Sequence, residues 1–269
     1  MENLHKIPIM ITILGPTATG KTRLAALVAD ALNGEIISAD SRQVFRKMNI
    51  GTGKDYDDYV INNKIIKVHL IDIEDPGKEY NVYRFVNDFN KTYELIIQNN
   101  KLPVLCGGTG LYIEAVLKGY YLPKVPINEN LRKELNGKSL DELIQMLNSL
   151  KKTHNITDYT DKNRTIRAIE IAQYLKDNTF GETSSKSKQT LIFGLTGDRN
   201  LIRKRITSRL KNRLNNGLIE EVEYLIAHEG LTHEQLYYYG LEYRYVSMYL
   251  QNKYTYNEMF EKLNTAIYQ

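Results

Sequence analysis

The chain has 269 residues, of which 42% are hydrophobic and 25% charged, an ordinary globular usage that excludes a disordered or collagen-like polymer. No apolar run is long enough to span a membrane, and the one cysteine, Cys106, excludes an internal disulfide and leaves no framework for structural zinc. The net charge of +4 is mild, but Arg199, Arg203, Lys204, Arg205, Arg209, Lys211 and Arg213 crowd one short stretch against a single acid, Asp198. Such a stripe either attracts phosphates or is a solvated helix face. The start, Met1 to Lys6, lacks a signal-peptide layout, so a cytoplasmic protein is expected.

In chain order, Ile9 to Leu14 is a short β-branched run that reads as a buried strand. Lys21 to Leu32 follows with Leu24, Leu27, Val28, Ala31 and Leu32 at helical spacing, and Gly34 suits its C-cap. Glu35 to Ala39 is a second strand ending at Asp40, and Ile65 to Ile73 a third. Val82 to Ile97 puts Val82, Phe85, Val86, Phe89, Tyr93, Ile96 and Ile97 on one helical stripe, with Asn81 as N-cap. Leu102 to Cys106 is a fourth strand, closed by Gly107-Gly108, and a helix follows from Leu111. Strands alternating with helices predict a parallel, doubly wound α/β sheet flanked by helices.

From Pro123 to Asp177 the pattern is helical only, with Ser139 and Glu142 forming a capping box and Asn163 to Leu175 a strong helix. The polar stretch Asn178 to Gln189 reads as a mobile loop, Thr190 to Thr196 as a last strand, and the remainder as helices. The expected organisation is a core of residues 1–122 and 189–269 interrupted by a helical insertion domain, residues 123–188. Tyr237, Tyr238, Tyr239, Tyr243, Tyr245 and Tyr249 crowd into thirteen residues of the last part.

Gly15-Pro16-Thr17-Ala18-Thr19-Gly20-Lys21-Thr22 matches G-x-x-x-x-G-K-[ST] and lies between the first strand and the first helix, where a phosphate-cradling loop must be. Its backbone N–H groups and the helix N-terminus face an anion, Lys21 reaches terminal phosphate oxygens, and Thr22 helps hold Mg²⁺. The motif specifies a di- or triphosphate, not a reaction.

Asp40 ends the second strand, where ligands bind in open parallel sheets; a turn-capping aspartate is an equal reading. Gln43 lies within reach of the same crevice. Asp72 and Asp75 are candidates for a metal-side carboxylate or for a strand-end turn. Thr109 either caps the following helix or donates to a phosphate. Arg205, Arg209 and Arg213 recur at i, i+4 and i+8, so one of them can act as an arginine finger, while Glu220, Glu221 and Glu223 offer ordinary ion pairs. Arg164 and Arg167 on the insertion face a nucleic-acid backbone or pair with Glu170. Cys106 reads as a small buried residue.

Taken together these segments resemble the tRNA dimethylallyltransferases, also called tRNA isopentenyltransferases. Gly15 to Thr22 is similar to that family's G-P-T-A-S-G-K-T, Asp40-Ser-Arg-Gln-Val-Phe45 to D-S-x-Q-x-Y, and His69-Leu-Ile-Asp-Ile with Asp75-Pro to H-L-I-D-x-x-D-P. Gly107-Gly-Thr-Gly-Leu-Tyr112, Asn163-Arg-Thr-Ile-Arg-Ala-Ile-Glu170, and Arg205-Ile-Thr-Ser-Arg209 with Gly217-Leu-Ile-Glu-Glu-Val222 resemble further family segments in order. The resemblance implies a P-loop NTPase-like fold and transfer of a dimethylallyl group from its diphosphate to N6 of the adenosine next to the tRNA anticodon. It implies that Asp40, Thr17, Lys21 and Arg209 do the chemistry, with residues 15–22 on the diphosphate and Mg²⁺ at Thr22. It implies tRNA contacts from Asp40, Ser41, Arg42, Gln43, Thr109, Arg132, Asn163, Arg164, Thr165, Ile166 and Arg167, with the tyrosine-rich tail gripping the anticodon stem–loop. A monomer without membrane contact is expected.

The chain departs from the family pattern in three places. Gly51-Thr-Gly-Lys-Asp55 replaces the usual G-T-A-K-P, the run Tyr237 to Arg244 differs from x-x-x-G-Y-[RK], and Gln269 comes before the usual closing R-Q and T-W-F segment. With one cysteine there is no zinc finger of the eukaryotic kind, so the bacterial type is expected. Two other classes share the loop: a small-molecule kinase and a non-catalytic nucleotide-dependent RNA-binding module.

Overall fold

A computed structural model describes residues 10–120, 122–150, 161–178 and 188–268. Its centre is a five-stranded, all-parallel sheet in the order β5-β2-β6-β1-β7, built from β1 (Met10–Leu14), β2 (Gly34–Ser38), β5 (Val68–His69), β6 (Leu102–Gly107) and β7 (Thr190–Gly194). This is the expected α/β architecture. Parallel strands need helical crossovers, and α1 (Lys21–Ala31), α2 (Val82–Gln98) and α3 (Gly110–Leu117) supply them.

Helix α1 packs on one face of the sheet through Ala25, Ala26 and Ala29, not through the leucine stripe; Leu27 and Leu32 are exposed. Three alanines let the helix axis approach the isoleucines of β1 and β2 closely, and Leu24 and Val28 seal the edge of that contact. Gly34 is not the cap of α1 either. Leu32 is, Asn33 takes the left-handed conformation at φ 53°, and Gly34 opens β2, where a Cβ would lie 2.7 Å from the Leu102 carbonyl oxygen. Helix α2 buries Phe85, Val86, Phe89, Tyr93 and Ile96 as its stripe predicts, and the Asn81 side chain accepts from the Arg84 N–H at its start.

The third strand is much shorter than the apolar run from Ile65 to Ile73. Only Val68 and His69 pair with β2, because Leu70 and Asp72 adopt φ of 61° and 54° and break the extended chain. Residues 60–65 instead form a small antiparallel hairpin, β3 (Val60–Ile61) and β4 (Lys64–Ile65), turning through Asn62 and Asn63, both at positive φ.

The chain divides into two compact units, Met1–Tyr120 with Lys186–Gln269, and Tyr121–Ser185. The second contains α4 (Glu129–Asn136), α5 (Leu140–Leu150) and α6 (Lys162–Asp177), closed around Leu135, Leu143, Leu147, Ile166 and Ile169. The Ser139–Glu142 capping box forms as read: the Glu142 carboxylate accepts from the Ser139 N–H at 2.7 Å and Ser139 Oγ accepts from the Glu142 N–H. Most of the stretch read as a mobile loop, residues 179–187, lies outside the described residues. The first unit ends in α7 (Arg199–Asn215), α8 (Leu218–Ala227), α9 (His233–Leu236), α10 (Leu241–Leu250) and α11 (Tyr256–Tyr268). Among the described residues no helix is long and apolar enough to cross a membrane.

Candidate active site

At the C-terminal ends of β1, β2 and β6 lies a cavity of about 580 Å³ within the first unit, where ligands bind in open parallel sheets. Its floor is the Gly15–Thr22 loop. Gly20 caps α1 in the left-handed conformation at φ 84° with no side-chain cap, so the first N–H groups of the helix remain directed into the loop. Thr19 Oγ1 and Lys21 Nζ both donate to the Pro16 carbonyl, at 2.8 and 2.6 Å, which folds the loop into a cradle. Burial lowers the Lys21 pKa, the Arg209 charge adds to the effect, and the Asp40 carboxylate opposes it. Cys106, on the cavity wall, is buried, and burial pushes its thiol up to about 12, so it stays protonated and unreactive.

Arg209 reaches this floor from α7 and donates to Thr17 Oγ1 at 2.5 Å. Burial and neighbouring Arg213 lower its pKa, an arrangement that an incoming anion relieves. The three arginines of the i, i+4, i+8 series separate in role. Arg205 is exposed, and Arg213 pairs with Glu242 at 3.2 Å, not with Glu220, Glu221 or Glu223.

Asp40 faces the floor. Its Oδ1 accepts from the N–H groups of Arg42 (2.8 Å) and Gln43 (3.3 Å), the turn-capping arrangement. Among the described residues no hydrogen bond engages Oδ2. The turn-capping reading of Asp40 thus holds for one oxygen, and the other is available. Gln43 donates from Nε2 to the carbonyls of Gly53 (3.0 Å) and Thr52 (3.4 Å), which fixes its amide orientation and leaves Oε1 as an acceptor 3.5 Å from Ser38 Oγ. Thr109 occupies the N-cap position of α3, but its hydroxyl makes no capping bond. It accepts instead from the Ser41 N–H at 3.0 Å and ties the end of β6 to the turn after β2. Arg42 lies over the ring of Tyr238, 4.7 Å from its centroid.

Several open readings are decided by the structure. Asp72 and Asp75 do not line the cavity: Asp72 pairs with Lys54 at 2.5 Å and accepts from Tyr56, and Asp75 pairs with Arg46 at 2.7 Å. They are turn and ion-pair residues. In the helical unit Thr165 and Ile166 are buried, with Thr165 Oγ1 donating to the Asp161 carbonyl, so neither presents its side chain to RNA. Arg132 and Arg167 both pair with Glu170, which leaves Arg164 and Asn163 as the exposed residues of that segment. Of the six crowded tyrosines, Tyr239 and Tyr243 are core residues.

Sequence reasoning did not single out Asp55, Asp58, Tyr59, Gly240, Leu241 and Glu242 as cavity-lining residues. Burial and neighbouring Asp55 raise the Asp58 pKa. No local pattern marks these residues; tertiary folding brings them in. Among the described residues no group of three His, Cys, Asp or Glu side chains is placed to hold a metal. Thr22, on the cavity floor, carries the hydroxyl with which a loop of this pattern ligates Mg²⁺ beside substrate phosphates.

The IPP transferase family model matches residues 43–269. The chain is 54% identical over 260 residues to tRNA dimethylallyltransferase 2 of Bacteroides fragilis, covering 97% of this chain and 85% of that protein. It is 52% identical to tRNA dimethylallyltransferase 2 of Porphyromonas gingivalis, with 97% and 86% covered. Among solved structures it is similar to the full-length tRNA isopentenylpyrophosphate transferase of Bacillus halodurans, with a TM-score of 0.69 and 30% identity over 97% of this chain and 83% of that one. A eukaryotic dimethylallyltransferase acting on tRNA shares the fold at a TM-score of 0.78, with 21% identity over 97% of this chain and 67% of that one. Matches of this identity and coverage leave one assignment: the chain belongs to the tRNA dimethylallyltransferase (IPP transferase) family.

Proposed function

We propose that this chain transfers a dimethylallyl group from dimethylallyl diphosphate to N6 of the adenosine next to the anticodon of a tRNA, releasing pyrophosphate. The observation that carries the reading is the shared cavity: Asp40, one oxygen of which is unengaged among the described residues, lines the same space as the anion loop, Lys21 and Arg209. A module that only bound a nucleotide would not need a carboxylate there.

Residues 15–22 hold the diphosphate. The C–O bond to the prenyl group breaks, and its electron pair leaves with pyrophosphate. Lys21 and Arg209 stabilise the growing negative charge from fixed positions. The N6 lone pair forms the new N–C bond, and the displaced N6 proton passes to Asp40. Thr17 holds Arg209 through its hydroxyl. Gln43 offers Oε1 to the exocyclic amino group of adenine, a donor, whereas guanine would bring an oxygen there. The base must leave its stack to reach this position. Thr22 would hold Mg²⁺, which would supply additional positive charge to the leaving group. Ser41, Arg42 and Thr109 line the acceptor side, the exposed Asn163 and Arg164 contribute a polar group and positive charge to tRNA contacts, and Arg132 and Arg167, which share the one Glu170 carboxylate, keep a net positive charge beside them.

The test is to incubate the protein with labelled dimethylallyl diphosphate and unmodified tRNA, beside labelled ATP with the same tRNA. Label entering RNA from the prenyl donor alone is the expected result. Consumption of ATP alone indicates a kinase, and binding without turnover a non-catalytic module.

A further inference from the structure

One wall of the cavity is the loop from Asn49 to Asp55, which lines it through Gly51, Thr52, Gly53 and Asp55. Besides its own turn bonds and the buried Lys54, one side chain from α8 gathers it. Glu221 Oε2 accepts from the N–H groups of Asn49 and Ile50, both at 2.8 Å, and Oε1 accepts from Gly51 N–H at 3.0 Å and from the Tyr243 hydroxyl at 2.7 Å. Three consecutive backbone amides turned toward one carboxylate form an anion nest, occupied here by the protein's own group. The ring of Tyr243 backs the loop so closely that a Cβ on Gly51 would lie 2.5 Å from Cζ. Burial and the Glu221 carboxylate push the Tyr243 phenol far up, so it remains a donor.

The loop passes this order on. The Gly53 N–H donates to the Ile50 carbonyl at 3.1 Å, closing a turn, and the carbonyls of Thr52 and Gly53 accept from Gln43 Nε2. Glu221 thus helps fix where two carbonyls lie, together with the Thr52 hydroxyl on the Met48 carbonyl and the turn at Gly53, and those carbonyls orient the Gln43 amide. Without them the amide is free to rotate and present its NH₂, which repels the adenine amino group.

We propose that Glu221, with Tyr243, is a positioning residue for the acceptor base, acting through the Asn49–Gly53 loop on Gln43. The proposal rests on the prenyl-transfer reading above. It assigns Glu221 no contact with substrate and no role at the diphosphate.

The test is a double-mutant cycle read by single-turnover transfer to an anticodon stem–loop, with pyrophosphate affinity measured alongside. Glu221→Ala should slow transfer by about 10- to 100-fold, the scale of an ångström of misplacement. Pyrophosphate affinity should stay within about twofold, because Glu221 shares no partner with the anion loop. In a Gln43→Ala background, Glu221→Ala should add no more than about threefold, since both changes remove one positioned amide. Tyr243→Phe, which keeps the ring against Gly51, gives a milder change that repeats the same non-additivity if Glu221→Ala does not fold. Losses that multiply, or a loss of pyrophosphate affinity equal to the loss of rate, overturn the proposal while wild-type transfer keeps the prenyl-transfer reading intact. A wild type without transfer overturns both.

Discussion

The two walls of the cavity are built in opposite ways. The anion wall, residues 15–22, is contiguous in sequence and works through its own backbone: the left-handed Gly20, the helix N-terminus and the Pro16 carbonyl are all within one turn of chain. The base-side wall, Asn49 to Asp55, is held by groups some 170 positions away, chiefly Glu221, while Lys54 anchors it underneath. Backbone recognition of phosphate needs glycines at fixed spacing and little else. Recognition of a base edge needs side chains aimed from several elements, so it depends on the packing of the whole helical tail. The two walls should therefore respond to mutation independently.

The largest separation is expected at Asp40. Asp40→Asn keeps an oxygen for the turn but removes the proton acceptor, so transfer should fall by about 10²–10⁴-fold. Pyrophosphate binding, measured calorimetrically, should survive. Next comes the arginine pair. Arg209→Ala removes the cation beside Thr17 and should slow the chemical step by about 10²–10³-fold. Arg213 is neutralised by Glu242, and Arg213→Ala should cost less than about tenfold by the same quench-flow assay. Equal losses would place both arginines on the leaving group and erase the distinction between the walls.

The Lys54 side chain is fully buried, while Asp72 is 35% exposed. Lys54→Met strands Asp72 and two further acceptors, the Phe45 carbonyl and Asn49 Oδ1, beneath the base-side loop, and partial solvation of Asp72 places the cost at about 2–3 kcal/mol, at or below the lower end for a broken buried pair. A denaturant titration measures it. The anion loop should bind pyrophosphate unchanged in the fraction that remains folded.

The smallest effect is one of pH. Burial holds Lys21 below the ordinary lysine value of 10.5. An anion binds its protonated form, so pyrophosphate affinity should weaken as pH rises through the depressed pKa, earlier than for an exposed lysine. Lys21→Arg should abolish that fall, because guanidinium stays charged throughout.

The anion wall was legible because its physics is local. A glycine-rich eight-residue pattern between a buried strand and a helix can be read without knowing where anything else lies. The caps at Asn81 and Ser139 were legible for the same reason. Asp40 was half legible, since its strand-end position shows but the division of labour between its two oxygens does not. The strand after Ile65 was misread because an apolar run says nothing of the left-handed turns at Leu70 and Asp72. The asparagine pair at residues 62 and 63 did carry a hairpin signal. Leucine periodicity in α1 misled because three alanines, poor hydrophobic markers, make the closest contact with the sheet. Glu221 shows in the sequence as an ion-pair candidate for arginines and within the family-like segment Gly217–Val222; its partners are three backbone amides and the Tyr243 hydroxyl, which no side-chain pattern reveals.

The account stands on Asp40 and the anion loop addressing the two ends of one reacting pair. A crystal structure with pyrophosphate and an anticodon stem–loop tests this most directly. It should place pyrophosphate in the Gly15–Thr22 cradle and a single flipped adenine with N6 about 3 Å from Asp40 Oδ2 and facing Gln43 Oε1. An adenine bound elsewhere, or one whose N6 points away from Asp40 while pyrophosphate fills the cradle, would contradict it.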